Sequence, residues 1–150
     1  MKQFRLMIIS IIILAAILAC GSQRTLIQNG YSMYPSIDNG EKLIAKEVDL
    51  TELKRGDIIY FEFDERLLVK RLIGLPGEKI EIQDGNIYIN DQMLVEDYEA
   101  SSPEYRFGPI TLEADQYFVL GDNRDDSKDS HQFGPISGDQ IKGRVILIQE

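Results

Sequence analysis

Hydrophobic and polar residues alternate in short runs along most of this chain, and no stretch after residue 25 sustains a helical period. Alternating runs at 42–45, 57–63, 67–73, 80–82, 87–89, 117–120 and 144–148 predict strands. Between two of them lies Gln83-Asp84-Gly85-Asn86. Asp-Gly supplies the positive φ of a tight hairpin turn, so 80–89 is predicted as a two-stranded hairpin. Residues 48–53 (VDLTEL) predict a short helical turn, and the polar stretch 96–109, with Ser101-Ser102-Pro103, a long loop. The fold expected is mostly β: a coiled antiparallel sheet, barrel-like, with small edge insertions.

The N-terminus breaks this pattern. Lys2 and Arg5 precede an apolar run from Leu6 to Cys20. About 15 residues of helix rise roughly 22 Å, against a hydrocarbon core about 30 Å thick. The positive flank predicts the N-terminus inside and the remainder outside the cytoplasm. Two readings stay open. The run is an uncleaved apolar helix that anchors the chain, or Ile17-Leu18-Ala19-Cys20-Gly21 is a lipoprotein-type signal whose cysteine is lipidated. The expected organisation is residues 1–20 as anchor or signal, 21–29 as a short tether, and 30–150 as one domain.

Composition narrows the partners. The formal net charge of -9 argues against nucleic acid, which needs a basic surface. It also argues against docking on anionic lipid heads, so contact with a lipid bilayer would run through apolar residues or a lipid. A single cysteine, Cys20, allows no intramolecular disulfide, and the single histidine, His131, rules out a His-rich metal site. No metal and no cofactor are expected.

Three constellations carry candidate chemistry. In Gly30-Tyr31-Ser32-Met33-Tyr34-Pro35-Ser36, glycine frees the backbone and proline stiffens the exit. Ser32 is a turn former, a cap or a nucleophile. In Leu67-Leu68-Val69-Lys70-Arg71-Leu72-Ile73, strand alternation puts Lys70 on one face with Leu68 and Leu72, and Arg71 on the other with Val69 and Ile73. An amine on an apolar face loses hydration when charged and becomes a candidate general base; the alternative is a lysine that reaches water at the strand edge. The run from Gly121 to Gly134 is dense in carboxylates but lacks the order of a calcium-binding loop. It is a solvated turn, or it offers Ser127 to orient a lysine and Asp129 to brace an arginine.

Together these segments resemble the bacterial type I signal peptidases. The Ser32 segment looks like that family's Ser-Met-x-Pro-Thr box, with Ser36 in place of Thr. Arg55-Gly56-Asp57 resembles its R-G-D strand. Lys70-Arg71-Leu72-Ile73-Gly74-Leu75-Pro76-Gly77-Glu78 resembles its K-R-x-I-G-L-P-G-D box. Gly121-Asp122-Asn123-Arg124 with Ser127, Asp129 and Ser130 resembles its last box. The four occur in order, from about residue 27 to the end.

The resemblance implies a membrane-bound serine endopeptidase that removes signal peptides with a Ser–Lys dyad. Ser32 would be the nucleophile and Lys70 the general base. Ser127 would hydrogen-bond Lys70, and Asp129 would pair with Arg71. Met33 and Val69 would wall pockets for the small residues of preproteins at positions -1 and -3. Leu26-Ile27 and Met33-Tyr34 would dip into the bilayer, with the domain on the outer face of the plasma membrane. Gly30 stands where some relatives carry a serine that adds an oxyanion donor. His131 stands where the family carries arginine, which implies a pH-sensitive contact with Asp129. The region 79–116 leaves room only for a hairpin and a loop. The alternatives are a lipoprotein that keeps the scaffold without catalysis, and a Ser–Lys self-cleaving repressor, for which the DNA-binding helices and basic charge are lacking.

Overall fold

A computed structural model describes residues 23–149. In chain order its strands are β1 (Gln23–Ile27), β2 (Lys42–Lys46), β3 (Ile58–Phe63), β4 (Arg66–Gly74), β5 (Lys79–Gln83), β6 (Asn86–Ile89), β7 (Gln92–Met93), β8 (Phe107–Thr111), β9 (Gln116–Leu120), β10 (Ile136–Ser137) and β11 (Ile141–Gln149). They form two antiparallel sheets. The larger has the order β1-β2-β11-β3-β4-β9-β10, and the smaller β7-β6-β5-β8. One short helix, α1 (Ser130–Phe133), follows the acidic loop.

Each alternating run of the sequence is a strand. The predicted hairpin pairs Gln83 with Asn86, and Asp84 and Gly85 both take positive φ (52° and 79°). The helical turn is a 3-10 turn at Leu50–Glu52, capped by the Asp49 side chain, which accepts from Thr51 N.

Three expectations need correction. The sheet is not barrel-like: β1 and β10 remain as edges and it does not close. Within the expected tether, residues 23–27 form β1, laddered to β2 from Gln23↔Lys46 to Ile27↔Lys42. Its residues are mostly exposed, so backbone pairing rather than an apolar face makes it a strand, and no alternation signals it. The expected loop 96–109 ends early, because Phe107 begins β8. Gly108 and Pro109 read as loop residues, but an edge strand tolerates both, and β8 is an edge. The apolar segment 1–20 lies outside the described residues. Among those described, no helix is long and apolar enough to cross a membrane.

β4 is the organising strand. It lies between β3 and β9, and every residue from Val69 to Gly74 is buried. Leu72 belongs to one core cluster, with Ile59, Phe61 and Val119. Val69 belongs to a second, with Met33, Ile37, Leu43 and Tyr60. Ile73 belongs to a third, which fills the smaller sheet with Ile80, Ile82, Ile87 and Phe118. Gly74 marks the passage between the sheets. A Cβ there would lie 2.7 Å from Ile80 Cδ1 and 2.8 Å from Leu112 Cδ1 and Phe118 Cβ. Phe118 Cβ sits at its own backbone, so it yields little. Gly74→Ala is therefore expected to lower stability by about 1–3 kcal/mol, as overpacking does, read as a lower urea midpoint with an unchanged slope.

Candidate active site

Ser32 stands in a compact turn between β1 and β2. Gly30 enters it with φ +87°, Tyr34 N donates to Tyr31 O (3.0 Å), and Ile37 N donates to Met33 O (2.9 Å). Met33 and Ile37, both fully buried, fasten the turn to the core. Asn123 grips it from the last loop: its backbone N donates to Ser32 O (3.1 Å) and its Nδ2 to Tyr31 O (3.2 Å). The second bond matters because Tyr31 C=O and Ser32 N–H belong to one planar trans peptide. Holding the carbonyl aims the N–H to the opposite side.

The Lys70 side chain closes on this turn. Lys70 is only 4% exposed, and its Nζ donates to Ser32 Oγ at 2.6 Å. Burial lowers its pKa from 10.5 to about 8, against the opposing pull of the Asp129 and Asp122 carboxylates. The sequence reading of an amine on an apolar face thus matches its surroundings: Leu68 and Leu72, on the same face, belong to the Ile59–Phe61 cluster. Beside Leu68 opens a cavity of about 360 Å³, rimmed by Phe63, Arg66 and Lys128.

Arg71 faces the other way and finds a different partner from the one expected. Its Nε donates to Asp122 Oδ1 (2.8 Å) and its Nη2 to Asp122 Oδ2 (2.5 Å). Nη1 reaches Gly56 O (2.8 Å), and Nη2 reaches Ser36 Oγ (3.1 Å). The expected Arg71–Asp129 pair does not form, and strand register explains why. Arg71 lies opposite Leu120 in the β4–β9 ladder. Asp122 is two residues on and returns to the same face, within reach of the guanidinium. Asp129 instead accepts from Gly121 N (2.9 Å) and His131 Nδ1 (2.6 Å), and caps α1 through His131 N (3.2 Å). Sequence reasoning quoted Asp122 within a motif and gave it no role. The period-two count from β9 was the signal available.

Ser127 comes to the edge of this site but makes no bond to Lys70. Its Oγ is buried and has no hydrogen-bond partner among the described residues. It packs on Gly121, where an added Cβ would strike both Ser127 Oγ and the Ser32 carbonyl. Gly121 is thus the point at which the last loop touches the Ser32 turn. Met33 and Val69, neighbours in sequence of Ser32 and Lys70, meet in one buried cluster, Met33 fully enclosed and Val69 nearly so. Ile27, Tyr31 and Tyr34, flanking Ser32, are about half exposed, whereas Met33, expected to dip into the bilayer with Tyr34, is fully buried.

Known proteins resemble this chain along most of its length. A family model described as "Signal peptidase, peptidase S26" matches residues 1–149. A probable signal peptidase I-2 of Synechocystis sp. is 36% identical over 147 residues, covering 89% of this chain and 67% of its own. The signal peptidase I of Leptolyngbya laminosa is 36% identical over 150 residues, covering 89% of this chain and 74% of its own. The crystal structure of a signal peptidase I from Enterococcus faecalis V583 superposes with a TM-score of 0.58 at 34% identity, over 65% of this chain and 100% of that one. With its ordered motifs on a matching two-sheet scaffold, this chain belongs to the signal peptidase family of serine peptidases, peptidase S26.

Proposed function

We propose that this protein removes N-terminal signal peptides from exported preproteins, with Ser32 as nucleophile and Lys70 as general base. The observation that carries the reading is the 2.6 Å contact between Ser32 Oγ and a buried amine whose pKa is lowered to about 8. A neutral amine at that distance accepts the hydroxyl proton as Oγ attacks the scissile carbonyl. The C=O π pair moves to oxygen, and the aimed Ser32 N–H receives the resulting oxyanion. Collapse breaks the C–N bond, and the Lys70 ammonium gives its proton to the leaving amine. The leaving chain is the mature protein. Lys70, neutral again, then takes a proton from water as it attacks the ester carbonyl; the C–Oγ bond breaks, the Lys70 ammonium returns that proton to Ser32 Oγ, and the signal peptide leaves with its new carboxylate. Gly30 supplies no side-chain donor, so a second oxyanion donor would come from elsewhere.

The supporting parts have separable roles. Arg71 and Asp122 fix the start of the last loop against β4. Asp129 holds Gly121 N, and so the approach of Ser127 to the Ser32 turn. Ser127 Oγ, without a hydrogen-bond partner among the described residues, would orient the Lys70 amine. The cluster of Met33 and Val69 lies under the pockets that take small residues at -1 and -3. The half-exposed Ile27, Tyr31 and Tyr34 suit contact with a bilayer surface, next to the apolar segment 1–20 that would tether the domain there.

Two measurements test this reading. Wild type in detergent is expected to cut a preprotein after the second Ala of an Ala-x-Ala site. Ser32→Ala and Lys70→Ala are expected to lose about 10³-fold or more in kcat/KM while keeping their melting temperatures. A folded wild type that cuts none of several preproteins would favour a scaffold without catalysis. The pH profile is the second test. Only the neutral amine is a base, so kcat/KM is expected to rise with pH through an inflection near 8 and to level off above it. An inflection near the ordinary lysine value would place the working amine in water and sink the role given to burial.

A further inference from the structure

The loop between β7 and β8 has no regular structure, yet it is fastened to each segment of the site. Ser36 Oγ, in the nucleophile's turn, donates to Glu99 O (3.3 Å). Ser101 N donates to Asp122 O (2.9 Å), and Ser101 Oγ accepts from Arg124 N (2.8 Å). Glu104 N donates to Asp125 Oδ1 (3.0 Å), and Pro103 between them is buried. This far exceeds what a surface connection needs.

Two tyrosines of the loop stand out. The Tyr98 ring lies under the Arg71 guanidinium, 3.7 Å from Cζ to the ring centre. Its hydroxyl donates to Glu96 Oε1 (2.5 Å), and the same carboxylate takes Nη1 and Nη2 of Arg124, which is fully buried. The Tyr105 ring stacks on His131 at 3.9 Å and 15°. Arg71 holds Asp122, and His131 holds Asp129. Those two carboxylates are the charges that act on Lys70. Both rings also pack on the smaller sheet's core. One loop therefore covers both pairs and ties them to a rigid support.

We infer that Tyr98 and Tyr105 are positioning residues for the dyad: the loop clamps Arg71 onto Asp122 and His131 onto Asp129, and so limits the negative charge that Lys70 meets. The inference rests on the reading of Lys70 as the base. Its physics is simple. A guanidinium held on a carboxylate by an aromatic face cancels most of that carboxylate's field at a neighbour. Released to water, it leaves Asp122, one of the two carboxylates that act on Lys70, uncompensated, and water enters beside it. Both changes favour the ammonium form of Lys70, which is not a base. The charged groups around Tyr98 are Arg71, Glu96 and Arg124. Around Tyr105 and His131 they are Asp129, Asp125, Arg124 and Glu96.

The test compares the full chain with Tyr98→Leu, Tyr98→Phe and Tyr105→Leu in detergent. Leucine keeps apolar contact with the smaller sheet but has no π face; phenylalanine keeps the face and loses only the hydroxyl. Lys70 is titrated by NMR in protein labelled at lysine, which requires no catalysis. For Tyr98→Leu the midpoint is expected to move to higher pH by about half a unit or more. At pH 7 kcat should fall about threefold to tenfold with KM unchanged, and the loss should vanish above the new midpoint. Tyr98→Phe should restore most of both. Tyr105→Leu should move the midpoint in the same direction, and it carries the test if Tyr98→Leu does not fold. A folded variant with a lower melting temperature but an unmoved Lys70 midpoint would overturn the inference, as would Tyr98→Phe behaving like Tyr98→Leu. If wild type cuts no preprotein, the proposed function fails, while the Lys70 titration still decides whether the loop sets its charge.

Discussion

The structure depends on taking the Lys70 amine out of water without neutralising it with a counter-ion. Lowering its pKa from 10.5 to about 8 corresponds to about 3 kcal/mol against the ammonium form. At neutral pH that is a cost to folding, because the unfolded chain holds the proton more readily. The sign follows: below pH 8 both states are protonated and the cost is present in full. Stability then recovers as pH rises from about 8 towards 10.5, where the unfolded chain binds more protons than the folded one. A strand buried on both faces can bear such a cost. Leu72 and Val69 pack on either side of Lys70 in clusters that also hold Ile59, Phe61, Met33 and Tyr60.

A directly paired carboxylate would remove that cost and hold the amine in its ammonium form. The nearest acids are therefore engaged elsewhere. Asp122 meets Arg71, and Asp129 meets Gly121 N and His131. Strand geometry makes this possible. Consecutive residues of β4 point to opposite faces, so Lys70 reaches Ser32 while Arg71 collects Asp122, Ser36 and the Gly56 carbonyl. The Lys-Arg order thus delivers an amine to Ser32 and a guanidinium to Asp122 from one strand without bringing the two groups together. His131 is occupied between Asp129 and the Tyr105 ring, so the chain's single imidazole is part of the scaffold and not of the proton path.

How far the sequence revealed this follows from the range of each signal. Alternation is local, and the strands with a buried face, including β3, β4, β5 and β9, could be read from it. Asp84-Gly85 is a local turn signal, and it too could be read. β1 and β8 are edge strands held by pairing to one neighbour, and their mostly exposed residues carry no alternation. Within the site, the face of Lys70 was legible from period two alone, and its approach to Ser32 came only with the order of motifs. Asp122 and Asp129 were both in view as carboxylates of one loop. Choosing between them for Arg71 needed the register Arg71↔Leu120, which no single segment contains. Tyr98 and Tyr105 lie in a polar loop without periodicity, so nothing marked them until the fold placed them on Arg71 and His131.

The smaller sheet then has a physical purpose. Its hairpin contributes none of Ser32, Lys70, Ser127 or Asp129, yet its isoleucines pack with Ile73, Phe118 and Leu120 of β4 and β9. Those strands carry Lys70 and lead into Gly121. At Gly74 a side chain would strike Ile80, Leu112 and Phe118 and push the two sheets apart. The loop that leaves this sheet after β7 returns to it at β8, and in between it binds the Ser32 turn, the Arg71 pair and the last loop. A short-range hydrogen bond such as Lys70–Ser32 survives only if both partners are held within a few tenths of an ångström. Ser32 is on a turn and Lys70 is 38 residues away on a strand, so neither can fix the other. The turn is held by its own core residues and Asn123, the strand by both sheets, and the β7–β8 loop joins the last loop in touching both the Ser32 turn and the Arg71–Asp122 pair.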